Sequence, residues 1–308
     1  MTNTCIAVMA PGDMGHGVGR ALREHGHDVI TCLAGRSERT RKLAAAGGLR
    51  DVADLTALVT QADMILSILP PDRAVQQARD MAAAMTAAGT TPAYVDCNAI
   101  APSTAEQVRA AIEGAGASFI DCGIIGLKPG PDNLPHFYVS GDDTAPMQAL
   151  DGCGIKVIPI GGGTRASGMK MVYAALTKGT WTLHAAILMT AERLGLYDDL
   201  IGEYEQSQQA ALKAMAARLP RIPADSGRWI GEMEEIAKTF RDAGTPGNFH
   251  DGAAAVFRVI AETPWSSEMR ETIDGSRTLE QSIREYVKHL DAAFPATKAA
   301  AQKDAADD

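Results

Sequence analysis

Lys170 is the residue whose surroundings best suit it to move a proton. It lies in the run Ser167-Gly168-Met169-Lys170-Met171-Val172-Tyr173-Ala174-Ala175, where apolar neighbours would strip water from an ammonium group. Desolvation draws a lysine pKa toward neutrality, as proton exchange with a substrate hydroxyl requires. The other reading is a lysine that snorkels, with its stem on apolar surface and its head in water, and the residues alone leave both standing. Tyr173 and Thr177 follow on roughly the same helical face and could orient the lysine or a substrate. Asn98 follows the run Ala93 to Cys97 and could reach a ligand there, whereas Asp96 reads as structural and Ser103 or Thr104 as a helix cap. Asp121-Cys122-Gly123-Ile124-Ile125-Gly126 ends another such run. Its glycines would either free backbone N–H groups for a carboxylate or hydroxyl, or form only a tight turn.

A second constellation suits phosphate. Cys5 to Ala10 (CIAVMA) has strand character, Pro11-Gly12-Asp13-Met14-Gly15 turns the chain, and His16 to Glu24 has helical periodicity. The dinucleotide fingerprint G-x-G-x-x-G is present as Ala10-Pro11-Gly12-Asp13-Met14-Gly15, with alanine in the first glycine slot. Gly12 would admit a pyrophosphate to the backbone and Gly15 would let the helix pack on the strand. The place of the motif between strand and helix is what gives it weight over an ordinary turn. Pro11, Gly12, Asp13, Met14 and Gly15 are therefore the candidate cofactor residues. The next strand, Asp28 to Leu33, ends with no acid to accept from the ribose 2′-OH of NAD, and Gly35-Arg36-Ser37 follows. Arg36 can lie over the adenine or grip a 2′-phosphate bidentately, and Ser37 can add a hydrogen bond; set against a merely solvated basic start to the next helix, this makes NADP (NADPH) expected over NAD. Leu69 and Pro70, in Ser67-Ile68-Leu69-Pro70-Pro71, close another strand. They should border the cofactor, because ligands of open parallel sheets lie beyond the carboxyl ends of strands. Asn98 belongs to the same rim.

The scaffold these residues need is legible as strands alternating with helices. Further strands are expected at Asp63–Ile68, Ala93–Cys97, Ser118–Cys122, His136–Ser140 and Ile155–Pro159, with helices at Asp72–Ala88 and Thr104–Gly114. From Ala166 to Leu194 runs one long helix, and after it only helices are expected: Ile201–Leu219, Trp229–Ala243, Asp251–Glu262 and Thr278–Phe294. The fold class is α/β: an N-terminal Rossmann-like doubly wound sheet, a long linking helix and an all-α C-terminal domain. The expected domains are 1–163 for NADP binding, 164–295 for substrate and dimerisation, and 296–308 as a disordered tail.

Composition narrows the partners. The chain of 308 residues carries a formal charge of −9, which disfavours nucleic acid or anionic membrane as the main partner and points to a small-molecule substrate. No apolar stretch is long enough to span a bilayer, and no charged leader precedes a long apolar run, so a cytoplasmic protein is expected. Five single cysteines without metal-ligand spacing read as buried thiols, and no metal is expected. Glu232, Glu234 and Glu235 read as a solvated helix face, Lys178 as a rim cation, and His136, His184 and His250 as partnerless or packing residues.

In their order and spacing these motifs resemble the β-hydroxyacid dehydrogenase and 6-phosphogluconate dehydrogenase superfamily. The run Met169 to Gly179 and the later Arg228-Trp229-Ile230-Gly231-Glu232-Met233 resemble a subgroup with a helical C-terminal domain of unassigned function. The resemblance implies NADP-dependent hydride transfer to or from a hydroxy/keto substrate, with Lys170 as general acid/base. It also implies that Asn98 and the Gly123, Ile124, Ile125 segment contact substrate and nicotinamide, and that the chain forms a homodimer through its helical domain. Better-known members have Ser-Thr where this chain has Asn98-Ala99, and Ser-Gly-Gly where it has Ile125-Gly126-Leu127. The asparagine after the lysine gives way to Tyr173 or Ala174. These departures point away from a small 3-hydroxy acid. An imine reductase of the same architecture, or a non-catalytic NADPH-binding sensor, stands as the alternative, and decarboxylation after oxidation remains open.

Overall fold

The computed structural model describes residues 4–293. The expected tail 296–308 and the end of the last expected helix at Phe294 lie outside them. Strands β1 (Cys5–Met9), β2 (Asp28–Cys32), β3 (Arg50–Val52), β4 (Met64–Ser67), β5 (Ala93–Asp96), β6 (Phe119–Ile125), β7 (His136–Ser140) and β8 (Lys156–Pro159) make one sheet, in the order β3-β2-β1-β4-β5-β6-β7-β8. The inner strands are short unbroken apolar runs because both faces are covered, as in parallel sheets generally. Side chains alternate between two cores. Ile6, Val8, Leu66 and Ile120 face one, and Ala7, Met9, Ile65 and Tyr94 face the other.

Helices α1 (Gly15–Glu24), α2 (Glu38–Gly47), α3 (Leu55–Gln61), α4 (Ala74–Ala88), α5 (Pro102–Gly114) and the short α6 (Ala145–Gln148) connect the strands. Chain order reverses between β1 and β4, the switch point at which doubly wound sheets open a crevice beyond their strand ends. Three elements carry no clear signal in the sequence. β3 is an edge strand of three residues, two of them exposed, and α2 buries only Ala44 and Gly47, so neither it nor β3 has a clear apolar period; α3 is a single short helix. The sheet is mostly parallel, with β6 and β7 pairing antiparallel, and one expectation needs correction. The segment Gly123-Ile124-Ile125 is strand rather than turn, paired with Tyr138, Phe137 and His136.

The chain divides into two compact units, residues up to Tyr173 and residues from Ala174 onward. The division falls within α7 (Arg165–Arg193). The second unit continues with α8 (Tyr197–Ser207), α9 (Gln209–Arg218), α10 (Pro223–Asp242), α11 (Asn248–Ala261), α12 (Leu279–Lys288) and α13 (Leu290–Ala293). The single helix expected from Ile201 to Leu219 is broken at Gln208, whose φ of −137° and ψ of 40° leave helical geometry. Trp229, Met233, Ile236, Phe257, Ile260 and Tyr286 form the buried interior of this unit, with the Trp229 ring 5.3 Å from Trp181 and 5.4 Å from Phe257. Among the described residues no helix is long and apolar enough to cross a membrane, and no group of three or more His, Cys, Asp or Glu could hold a metal.

Candidate active site: glycine turn, strand ends and Lys170

The turn after β1 has the backbone of a dinucleotide cradle. Ala10, in the first glycine slot, adopts the left-handed region with φ of 53°, a conformation that normally calls for glycine. Gly15 is required by packing, because a Cβ there would lie 2.8 Å from the Ala10 carbonyl oxygen. Gly12 is different: a Cβ would meet only the Ala10 carbonyl oxygen at 3.9 Å. Nothing in the protein demands glycine at that place, so the open space suits a phosphate brought against the backbone at the start of α1. Pro11 is buried, and Met14 precedes α1 and packs on the core.

Three arginines follow β2 with different partners. Arg39 donates to the Asp13 carboxylate at 2.6 Å and Arg41 to the Leu33 carbonyl at 2.6 Å. Arg36 is half-buried, and its guanidinium has no hydrogen-bond or ion-pair partner among the described residues. Its amide closes a turn on the Leu33 carbonyl at 3.1 Å, with Gly35 at φ of 69°. Ser37 caps α2, its hydroxyl accepting from the Thr40 amide at 3.2 Å.

Asn98 ties the strand ends together. Its Oδ1 accepts the Leu69 amide at 2.6 Å, and its Nδ2 donates to Ser67 Oγ at 3.2 Å and to Asp96 Oδ1. At 2% exposure this amide is held by the protein itself, so it fixes the Leu69-Pro70 loop; Pro70 itself is exposed. Asp96 is fully buried, and burial followed by the neighbouring Asp121 charge pushes its carboxyl up to about 8. Its Oδ2 has no hydrogen-bond partner among the described residues. Neither Ser103 nor Thr104 is the cap residue: α5 starts at Pro102 with Ala101 before it.

Lys170 is held at the end of β6. Asp121 accepts from the Ser167 amide at 2.8 Å, the Ser167 hydroxyl at 2.5 Å and the Ser140 hydroxyl at 3.0 Å, which locks the first turn of α7 onto the sheet. Gly123 permits this approach, since a Cβ there would fall 2.5 Å from the Ala166 carbonyl oxygen and 3.0 Å from Lys170 Cβ. The half-buried Lys170 then donates from Nζ to the Ile124 carbonyl at 2.8 Å. Sequence reasoning missed this network, because Ser140 and Ser167 meet Asp121 only through the β6–β7 hairpin and the start of α7.

Other expected residues are placed differently. Tyr173 is exposed, and Thr177 turns its hydroxyl back to the Ala174 carbonyl at 3.2 Å. Lys178 is not a rim cation but is 8% exposed, and the Glu232 expected in solvent accepts from its Nζ at 2.7 Å. Glu234 does lie at the surface, paired with Arg258. His250 is buried against Phe240, its Nδ1 without a hydrogen-bond partner among the described residues, and His136 is exposed beside Tyr138.

The family profile for the NAD-binding domain of 6-phosphogluconate dehydrogenase matches residues 5–151. The profile of a domain of unknown function, DUF1932, matches residues 191–260. These two matches agree with the resemblance to the β-hydroxyacid dehydrogenase and 6-phosphogluconate dehydrogenase superfamily, the first in the sheet unit and the second in the helical unit. An uncharacterised 28.5 kDa protein from the 7S RNA 5′ region of Methanothermus fervidus is 28% identical over 182 residues, 59% of this chain and 68% of that protein. Among solved structures, MTH1747 has a TM-score of 0.57 at 23% identity, over 94% of this chain and 97% of its own. It is a conserved protein of unknown function described as structurally similar to 3-hydroxyacid dehydrogenases. A Mycobacterium tuberculosis 3-hydroxyisobutyrate dehydrogenase with L-serine has a TM-score of 0.60 at 18% identity, over 91% of this chain and 98% of its own. At these identities the structural likeness speaks for the fold.

Proposed function

We propose that the protein is an NADP-dependent oxidoreductase that moves a hydride between nicotinamide and a hydroxy/keto carbon, with Lys170 as the general acid/base. The observation that carries this reading is the half-buried Lys170 amine, anchored 2.8 Å from the Ile124 carbonyl at the carboxyl end of β6, where sheets of this topology place ligands. When bound, the nicotinamide would supply or take up the hydride. In reduction the Lys170 ammonium donates a proton to the carbonyl oxygen, and in oxidation the neutral amine accepts the hydroxyl proton. Asp121, Ser140 and Ser167 position the lysine without touching substrate. Gly12 and the first turn of α1 would take the pyrophosphate, Arg36 and Ser37 the 2′-phosphate, and the Leu69-Pro70 loop, braced by Asn98, would border the cofactor. Half-buried Ile125 would give the substrate side an apolar contact that suits a larger substrate than a small hydroxy acid, whereas the Ile124 side chain is buried in the core. Exposed Leu176 and Leu183, one heptad apart on α7, support a homodimer. The test is a panel of ketones, aldehydes and cyclic imines offered with NADPH. Turnover of a carbonyl compound supports the reading, and turnover of imines alone overturns it.

A further inference from the structure

Lys128, in the loop after β6, stands apart from every residue assigned above. Its side chain reaches 112 positions back along the sequence to α1, where its Nζ lies 3.4 Å from His16 Nε2. Gly17 makes room for the stem: a Cβ at that position would lie 3.0 Å from Lys128 Cβ and 3.4 Å from its Cδ. His16 is 6% exposed, and its Nδ1 lies 2.7 Å from the Gly12 carbonyl oxygen in the glycine turn. A carbonyl oxygen only accepts, so Nδ1 carries the hydrogen and Nε2 presents a lone pair to the ammonium. Burial, and then the Lys128 charge, hold the imidazole pKa below its ordinary value and so keep it neutral.

The result is an uncompensated positive charge. Lys128 has no carboxylate partner among the described residues. The nearby Asp13 is engaged by Arg39 at 2.6 Å, and Arg20 faces Glu24 at 3.8 Å. The start of α1 adds the partial positive charge of a helix N-terminus beside it. Lys128 is exposed, so water carries its charge when no ligand is bound, and an anion arriving at the start of α1 would meet both positive ends. The open space at Gly12 shows where that anion would lie.

We infer that Lys128, steered by His16, is a cationic clamp for the pyrophosphate of the bound dinucleotide, laid over the glycine turn from the β6–β7 loop. This rests on the dinucleotide reading above and adds a side-chain charge to what the backbone amides supply. A substrate acid group offers the same oxyanion chemistry, and the experiment separates the two sources.

Equilibrium binding of NADPH, NADH and inorganic pyrophosphate to the full chain would be measured for wild type, Lys128→Met and Lys128→Arg over a range of salt concentrations. The expected result is that Lys128→Met weakens both dinucleotides and pyrophosphate roughly tenfold, as removal of a charge-assisted hydrogen bond does. It also flattens the salt dependence, and Lys128→Arg restores most of the affinity. Unchanged dinucleotide and pyrophosphate binding in Lys128→Met overturns the assignment, as does a loss confined to the KM of an acidic substrate. A wild type that binds neither dinucleotide overturns the cofactor reading and this inference with it. Melting temperatures verify that the variants fold, and Lys128→Gln replaces Lys128→Met if the latter does not.

Discussion

Lys170 and Lys178 share one helix yet face opposite surroundings. Lys178 is buried in the helical unit, donates to Glu232 at 2.7 Å and lies 5.7 Å from the Trp229 ring centroid. Lys170 is half-buried at the end of a sheet strand and donates to a backbone carbonyl. The more deeply buried charge is thus the structural one, neutralised by its carboxylate. The difference teaches that burial alone does not sort the two lysines; the deeper one donates to a carboxylate and the shallower one to a strand-end carbonyl.

The widest separation should come from exchanging each lysine for methionine. Lys170→Met should lower turnover by about 10²–10⁴-fold, the usual share of a general acid/base, with NADPH affinity kept. Lys178→Met should do the reverse. It removes the cation that Glu232 accepts from in the interior of the helical unit, so stability measured by denaturant unfolding should fall, by up to about 3–5 kcal/mol as for breaking a buried ion pair. If Lys178→Met instead abolishes turnover in a fully stable protein, the contrast collapses.

Arg36 carries the same logic to the cofactor. Arg36→Ala should weaken NADPH by about 10–100-fold, as loss of a charged hydrogen-bonding group does, and leave NADH nearly unchanged. Equal loss of both would remove the preference for NADP.

Asp96 sharpens the comparison through pH. Its carboxyl ionises near the ordinary value of 3.8 when unfolded and at about 8 when folded, so between those values the native state binds more protons. Stability contributed by this group is therefore fully present below the lower value and declines as pH rises toward the upper one. Asp96→Asn should flatten that decline in a series of melting curves, and an unchanged slope would show that the carboxyl is not held protonated. The smallest effect is expected at the turn. Ala10→Gly relieves a left-handed φ but frees the unfolded chain, raising stability by less than about 1 kcal/mol.

The strand positions, the glycine turn and the long helix were legible because each is written in contiguous residues: apolar runs, a turn motif, one unbroken period. β3 and α2 were not, since an exposed edge strand and a solvated helix lack that pattern. Within the candidate site, Lys170 is singled out by its apolar neighbours. Its anchoring is not, because Asp121, Ser140 and Ser167 meet only after β6 pairs antiparallel with β7. Lys178 and Glu232 misled for the same reason: each looks solvated in its own helix, and only packing of α7 with α10 buries them together. His16 and Lys128 lie too far apart in sequence for any local pattern to join them.

The most direct measurement of the central claim is single-turnover oxidation of bound NADPH by the best carbonyl substrate of the panel, comparing wild type, Lys170→Met and Lys178→Met at equal occupancy. The predicted result is a collapse of the rate in Lys170→Met alone. A Lys170→Met protein that oxidises NADPH as fast as wild type would contradict the account.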